Sequence, residues 1–255
     1  MIKNNNELFK QKYRKYKEKY NLLKRKETRQ NYPDIIYLPK WIQSLQETDI
    51  NISEILENIS WYRVTYFKPL FKKILTTPRY TSVYGSDEDV NSAQKRKYPI
   101  DPIPDFLEPL LKQVENESKS HFNMIMCNLY LTHENTINWH SDDEKFLGNN
   151  PTIASLSLGG ERKFLLREKK DHKNKYSFNL QNGDLLIMKG NTQHDWEHAI
   201  PKTKNSKPRI NLTFRYVKDY RGTNNYYKYN RYGDLEYSKA KAYKFNKDKQ
   251  NLVIE

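Results

Sequence analysis

Apolar positions follow three different rhythms along the chain. In residues 1–30, Phe9, Tyr13, Tyr16, Tyr20 and Leu23 step by 4, 3, 4 and 3, the period of one helix face, and eleven Lys/Arg against three Glu make the rest of that helix basic. From Asp34 the pattern turns globular. Ile35–Leu38 predicts a strand, Ile52, Ile55, Leu56 and Ile59 a helix begun near Asn51, and Arg63–Phe67 and Pro78–Gly85 two further extended runs. Ser86–Lys97 has no apolar period and reads as a surface loop. A helix is predicted between about Asp105 and Asn116, with Phe106, Leu107, Leu110, Leu111 and Val114 inward and Pro109 confined to its first turn.

After that helix the period shortens to that of strands. Phe122–Tyr130, Thr152–Leu158, Lys163–Arg167, Tyr176–Leu180, Asp184–Met188, His194–Ile200 and Arg209–Val217 are β-rich runs, and turn signals such as Asn149-Asn150-Pro151, Gly159-Gly160 and Asn182-Gly183 separate them. The pattern predicts an all-β core with flanking helices, arranged as a sandwich or jelly roll. No period of about twenty to fifty residues recurs, which argues against a solenoid or propeller. Beyond Val217, Tyr220, Tyr226, Tyr227, Tyr229, Tyr232, Tyr237 and Tyr243 are scattered among cations and asparagines. Such a tail either stacks the bases of a single strand or wraps on the domain. The organisation expected is a basic helical extension at 1–33, a folded domain at 34–218 and a basic, Tyr-rich tail at 219–255.

Charge narrows the partners. A net charge of +14, pI near 9.5 and mean hydropathy of −1.02 suit a polyanion such as nucleic acid, or simply a basic solvated surface. Cys127 is the single cysteine, so neither a disulfide framework nor a thiolate zinc cluster is available. With no apolar run of membrane-spanning length and no secretory h-region, a monomer in a reducing, intracellular compartment is expected. Lys24-Arg25-Lys26 is the kind of run that nuclear import machinery reads.

The candidate chemistry centres on Asn138-Trp139-His140-Ser141-Asp142-Asp143-Glu144. A strand end there would put His140 and Asp142 on one face, two residues apart. An imidazole and a carboxylate are half of the 2-His-1-carboxylate site of non-haem Fe(II) oxygenases, although His-x-Asp also occurs in ordinary solvated loops. His198, beside apolar neighbours in Trp196-Glu197-His198-Ala199-Ile200 and 58 residues on (198−140), offers the second histidine. His121, His133, His172 and His194 compete for that place. In Arg209-Ile210-Asn211-Leu212-Thr213-Phe214-Arg215, the residues Arg209, Asn211, Thr213 and Arg215 share one face of an extended strand. Two inward arginines suit a dicarboxylate, or pair with carboxylates of the protein itself.

Asn128-Leu129-Tyr130, Trp139–Glu144, Ile153–Gly159, Trp196-Glu197-His198 and Arg209–Arg215 together resemble the AlkB family of Fe(II)/2-oxoglutarate dioxygenases, most closely the eukaryotic-type members that repair alkylated nucleic acid. Order and spacing agree, with eleven positions from His198 to Arg209 (209−198) and six from Arg209 to Arg215 (215−209). The likeness runs from about residue 78 to 217 and more loosely from 34.

The resemblance implies a double-stranded β-helix in which His140, Asp142 and His198 hold Fe(II). Arg209, helped by Asn128 and Tyr130, would bind the distal carboxylate of 2-oxoglutarate, and Arg215 the carboxylate beside its keto group, with Asn211 and Thr213 on the same face. Decarboxylation of 2-oxoglutarate with O2 would then drive hydroxylation of an N-methyl group, lost as formaldehyde. The substrate implied is single-stranded DNA or RNA carrying 1-methyladenine or 3-methylcytosine. Both bases are cationic, so Asp143, assisted by Glu144, is expected to attract them or else to orient a metal ligand. A flipped base also needs an aromatic plane. Relatives carry a short aromatic Tyr-x-Tyr/Phe-Ser element after Tyr84-Gly85, whereas this chain has the polar Ser86–Lys97 run, leaving Tyr84 and Tyr98 as candidates. Other readings are a dioxygenase of the same fold acting on N6-methyladenine in RNA or on a non-nucleic substrate, and a silent nucleic-acid binder working through basic ends.

Overall fold

Arg209–Arg215 is buried at all seven positions, and this strand divides the molecule into layers. The computed structural model describes residues 31–45, 52–63, 65–68, 72–86, 101–204, 207–218, 242–249 and 251–254. The expected helix at 1–30 lies outside them. In chain order the elements are β1 (Asp34–Leu38), α1 (Ile52–Asn58), β2 (Trp61–Tyr62), β3 (Thr65–Lys68), β4 (Lys73–Thr76), β5 (Tyr80–Gly85), α2 (Glu108–Ser118), β6 (Met124–Tyr130), β7 (Ile137–His140), β8 (Ile153–Gly159), β9 (Arg162–Glu168), β10 (Lys175–Leu180), β11 (Leu185–Lys189), α3 (Thr192–Asp195), β12 (Trp196–Ile200), β13 (Arg209–Arg215), β14 (Ala242–Asn246) and β15 (Asn251–Ile254).

The major sheet runs β1-β11-β8-β13-β6-β5-β2-β14-β15, the minor sheet β10-β9-β12-β7, and β3-β4 is a separate hairpin. Every pairing of named strands is antiparallel. Strands at the centre of the major sheet are covered on both faces, so β6 and β13 are buried at every position. On one side Ile125, Cys127, Leu129, Ile210, Leu212 and Phe214 pack with Ile55 and Leu56 of α1 and Leu110 and Val114 of α2. On the other, Met124, Met126, Leu186 and Met188 meet Phe164, Leu166 and Trp196 of the minor sheet. This is the jelly-roll architecture expected, a mostly β core with few helices.

Local chemistry sets the boundaries. Pro109 sits in the first turn of α2, where its missing N–H has no intrahelical acceptor, and Lys119 in the left-handed region (φ 53°) ends the helix. A 3-10 turn, Asp105–Leu107, precedes α2 where continuous helix was expected. At Gly159-Gly160 the chain crosses the start of β13 so closely that Cβ atoms would lie 2.5 Å from the Pro208 carbonyl oxygen and 2.2 Å from that of Lys207.

Two further expectations are corrected. The run expected at His194–Ile200 divides into α3 and β12, because Gly190 (φ 53°) turns the chain into one short helical turn that takes up His194. The strand expected at Arg63–Phe67 is shifted to β3, Thr65–Lys68, which pairs only with β4, while β2 of the major sheet ends before it at Tyr62. Of the two readings of the C-terminal stretch, the described part of it follows the second and packs on the domain: β14 pairs with β2 and carries β15, and Tyr243 meets Tyr80 edge-on at 5.3 Å. Among the described residues no helix is long and apolar enough to cross a membrane.

Candidate active site

The pairing of β7 with β12 sets His140 opposite His198, and their ring centroids lie 4.2 Å apart. β7 stops at His140, so Asp142 is placed by the loop beyond the strand and not by the strand face that the sequence suggested. Two hydrogen bonds hold that loop: Ser141 Oγ donates to the Trp196 carbonyl at 2.8 Å, and the Asp142 amide donates to Gln193 Oε1 at 2.8 Å. His140 Nε2 is thereby 3.9 Å from Asp142 Oδ1, while its Nδ1 donates to the Asn138 carbonyl at 2.8 Å, leaving the Nε2 lone pair toward the carboxylate. One ligand atom from each of His140, Asp142 and His198 lies within 4.8 Å of the others, a grouping that could hold a metal ion.

The electrostatics suit that use. Burial, with His140 beside it, pushes His198 down to about 3, so its imidazole is neutral at neutral pH. The ring stacks on Phe164 at 5.1 Å, and among the described residues its buried Nδ1 has no hydrogen-bond partner. Burial alone would raise the Asp142 carboxyl, but Arg215, then His198 and His140, outweigh it and hold Asp142 below the ordinary carboxylate value. Arg215 Nη2 donates to Asp142 Oδ1 at 2.7 Å within a fully buried pair.

A polar strip runs along β13 away from this triad. Thr213 Oγ1 donates to Asn211 Oδ1 at 3.0 Å, Asn211 Nδ2 to Ser155 Oγ at 2.8 Å, and Arg209 Nη2 to Ser157 Oγ at 2.8 Å. Register with β6 sets Asn128 opposite Asn211 and Tyr130 opposite Arg209. The guanidinium of Arg209 lies 5.2 Å from the centre of the Tyr130 ring, and so does that of Arg162. Arg209 is 1% exposed, yet among the described residues its Nε and Nη1 have no partner, and burial pushes it down to about 10. A buried guanidinium with two open donors is built for an anion. The strip therefore fits a dicarboxylate reaching from the triad to Arg209.

Residues 34–215 match the family model described as the 2OG-Fe(II) oxygenase superfamily. The chain belongs to that superfamily. Fe(II), 2-oxoglutarate and O2 come with membership, and the triad together with the open donors of Arg209 fits the first two. The chain is similar to alpha-ketoglutarate-dependent dioxygenase alkB homolog 3 of Bos taurus, 36% identical over 185 residues, covering 68% of this chain and 63% of the relative. The Homo sapiens protein of the same name is 36% identical over 186 residues, with the same coverage. DNA oxidative demethylase ALKBH2 of Arabidopsis thaliana is 32% identical over 211 residues, covering 72% of this chain and 66% of that protein. The chain thus spans less than two thirds of the length of these curated relatives. The solved structure of OsALKBH1 superposes with a TM-score of 0.50 at 17% identity, covering 73% of this chain and all of that one, which shows a shared fold.

The remaining sequence candidates fall in different places. Asp143 lies at the site with its side chain 59% exposed, and Glu144 follows it as the residue before the 3-10 turn Lys145–Leu147. Tyr84 is a correction: it shares the face of its register partner Ile125, packs in the layer between the major sheet and the helices, and is turned away from the β13 strip. Tyr98 lies outside the described residues. His121, His133, His172 and His194 each sit beside a carboxylate on the surface instead of joining the triad.

Several residues at the site had no signal in the sequence. Arg79 donates from Nε to Asn128 Oδ1 at 2.8 Å, so Asn128 is engaged by a cation from the start of β5. Gln193 and Lys169 brace the loop around Asp142 and Asp143, the latter through a 3.2 Å contact from Lys169 Nζ to Asp143 Oδ2. Arg162 donates to the carbonyls of Thr132, Asn135 and Pro201 and backs the Tyr130 ring.

Proposed function

We propose that this protein oxidatively demethylates N-alkylated bases of the 1-methyladenine and 3-methylcytosine type in single-stranded DNA or RNA, acting as a monomer and releasing formaldehyde. In this reading His140, Asp142 and His198 hold Fe(II), which with O2 and 2-oxoglutarate supplies the oxidation of the methyl group. Arg209 takes the distal carboxylate of 2-oxoglutarate with Asn128 and Tyr130. Arg215 faces the carboxylate beside the keto group while bracing Asp142, and Asn211 and Thr213 line the space between.

The observation that carries the reading is Arg209: a fully buried cation with two open donors, on the strand that also delivers Arg215 to the triad. The substrate class rests on the similarity to proteins named as alkB homologues and DNA demethylases, and on Asp143, an exposed carboxylate one residue from Asp142. A cationic lesion gains from such a neighbour where a neutral base gains little. The net charge of +14 supports a polyanionic substrate.

The test is anaerobic loading with Fe(II) and 2-oxoglutarate, then O2, with single-stranded oligonucleotides carrying one methylated base each. Formaldehyde and the restored base should appear together for 1-methyladenine and 3-methylcytosine. Consumption of 2-oxoglutarate without base reversal on any strand would move the substrate outside nucleic acid.

A further inference from the structure

Lys169 follows directly on β9, and the structure holds it at three points. Its backbone N–H donates to the Asp195 carbonyl at 2.8 Å, and its Nζ donates to the Gln193 carbonyl at 3.0 Å and to Asp143 Oδ2 at 3.2 Å. An ion pair between two freely moving surface side chains contributes little, because both must be ordered. Here the ammonium is already fixed by a backbone carbonyl of α3, the helix whose Gln193 side chain also holds the Asp142 amide. The side chains of Lys169 and Asp143 are 34% and 59% exposed, so the pair is open to an incoming ligand.

We propose that Lys169 is a specificity-determining residue: its ammonium is a built-in competitor for Asp143 that a cationic methylated base must displace. The inference rests on the reading of Asp143 given above. When the base arrives, Lys169 keeps the Gln193 carbonyl and gives up only its contact with Asp143, so the exchange costs one interaction instead of two. A neutral base brings no charge to set against the ammonium and leaves the pair closed. Demethylation turns the cationic base into a neutral one, whereupon Lys169 reclaims Asp143 and the repaired base loses its hold. Lys169 therefore tempers the preference for charged lesions and favours release of the product.

The experiment measures anaerobic binding of the full chain, loaded with Fe(II) and 2-oxoglutarate, to identical single strands carrying cationic 3-methylcytosine or neutral 3-methylthymine, alongside formaldehyde release in O2. Lys169→Met should tighten binding of the 3-methylcytosine strand on the order of tenfold, a change typical of a partly desolvated charge pair, and move the 3-methylthymine strand by less than about twofold. Lys169→Arg keeps the cation and should stay near wild type. In the Asp143→Asn background the gain from Lys169→Met should fall below about threefold, since the competitor has lost what it competes for. Circular dichroism and melting temperature establish that each variant is folded, and Lys169→Gln serves if the Met variant is not. Unchanged or weaker binding of the cationic strand by Lys169→Met and Lys169→Gln overturns the proposal, as does a gain of equal size in the Asp143→Asn background. If the binding gain is present but no strand yields formaldehyde, the pairing stands and the demethylase reading is what fails.

Discussion

His140 and His198 face each other across the β7–β12 pair, although 57 residues separate them in the chain (198−140−1), and strand register alone brings their rings to 4.2 Å. Asp142 reaches the same point from a loop that is tied to Arg215 by a buried 2.7 Å contact. The three residues should therefore fail differently. His140→Ala and His198→Ala should abolish turnover with a modest change in melting temperature. Asp142→Ala should abolish turnover and also destabilise the fold by about 3–5 kcal/mol, because it strips the carboxylate from a buried ion pair. Chemical denaturation beside the formaldehyde assay separates the two effects, and near-normal demethylation by any of the three variants would remove the triad from the mechanism.

How much of this was legible in the sequence depended on whether a residue's neighbours lie on its own strand. The face of Arg209, Asn211, Thr213 and Arg215 could be read because a strand alternates, and the structure turns that whole face toward the polar strip. Alternation does not say which face of β5 meets the site. That is decided by pairing Tyr84 with Ile125, and it sends Tyr84 to the helix side. Arg79, Lys169 and Gln193 arrive from the start of β5, the end of β9 and a four-residue helix, so their positions depend on contacts tens of residues away. β14 and β15 escaped because their apolar residues, Tyr243, Phe245 and Leu252, are few and only partly buried among polar ones.

Arg209 offers a second test. Its Nη2 is held by Ser157 Oγ, and Nε and Nη1 are left for a carboxylate. Arg209→Ala should raise the 2-oxoglutarate concentration needed for half-maximal rate by an amount corresponding to roughly 2–5 kcal/mol. Arg209→Lys should recover only part of it, since a point charge cannot replace a planar fork. Calorimetric titration with 2-oxoglutarate reads the effect without turnover, and unchanged affinity in the Ala variant would place the distal carboxylate elsewhere.

Acid stability follows from His198. The unfolded chain takes up this proton near pH 6.5 and the folded chain only near about 3, so between those values the unfolded state binds more protons. Stability is then fully present above about pH 6.5 and falls as pH drops toward 3, at no more than about 1.4 kcal/mol per pH unit from this one group. Asp142, held low by Arg215, adds a loss that begins only below the usual carboxylate range near pH 3.9. Urea midpoints of metal-free protein between pH 7 and 4 should show this limb, and His198→Gln should flatten it. Parallel limbs would mean that His198 is protonated in the folded protein.

Asp143→Asn should separate recognition of the base from binding of the co-substrate. The amide is nearly isosteric and leaves His140 and Asp142 in place, but removes the charge that faces the base. The ratio of kcat/KM for 3-methylcytosine to that for neutral N6-methyladenine should fall by about 1–3 kcal/mol, the worth of a charge-assisted hydrogen bond at a partly exposed site. An equal fall for both bases would make Asp143 a support of the metal ligands.

Gln193 carries the last prediction. It is 1% exposed, its Oε1 accepts the Asp142 amide, its Nε2 lies 3.3 Å from Met188 Sδ, and its backbone carbonyl receives Lys169. Gln193→Leu keeps the volume but removes the acceptor, so a buried N–H next to a metal ligand loses its partner at a cost of about 1–3 kcal/mol. The loop that presents Asp142 is then held by the Ser141–Trp196 bond and the Arg215–Asp142 pair without a restraint on its backbone at Asp142, and affinity for a divalent ion should weaken roughly 10- to 100-fold, as when groups behind a metal ligand are removed. Titration with Mn(II) followed by electron paramagnetic resonance reads that affinity without turnover, and urea denaturation reads the stability. A Leu variant that is destabilised but binds Mn(II) like wild type would show that the register of β7 with β12, the Ser141–Trp196 bond and the Arg215–Asp142 pair suffice to position Asp142.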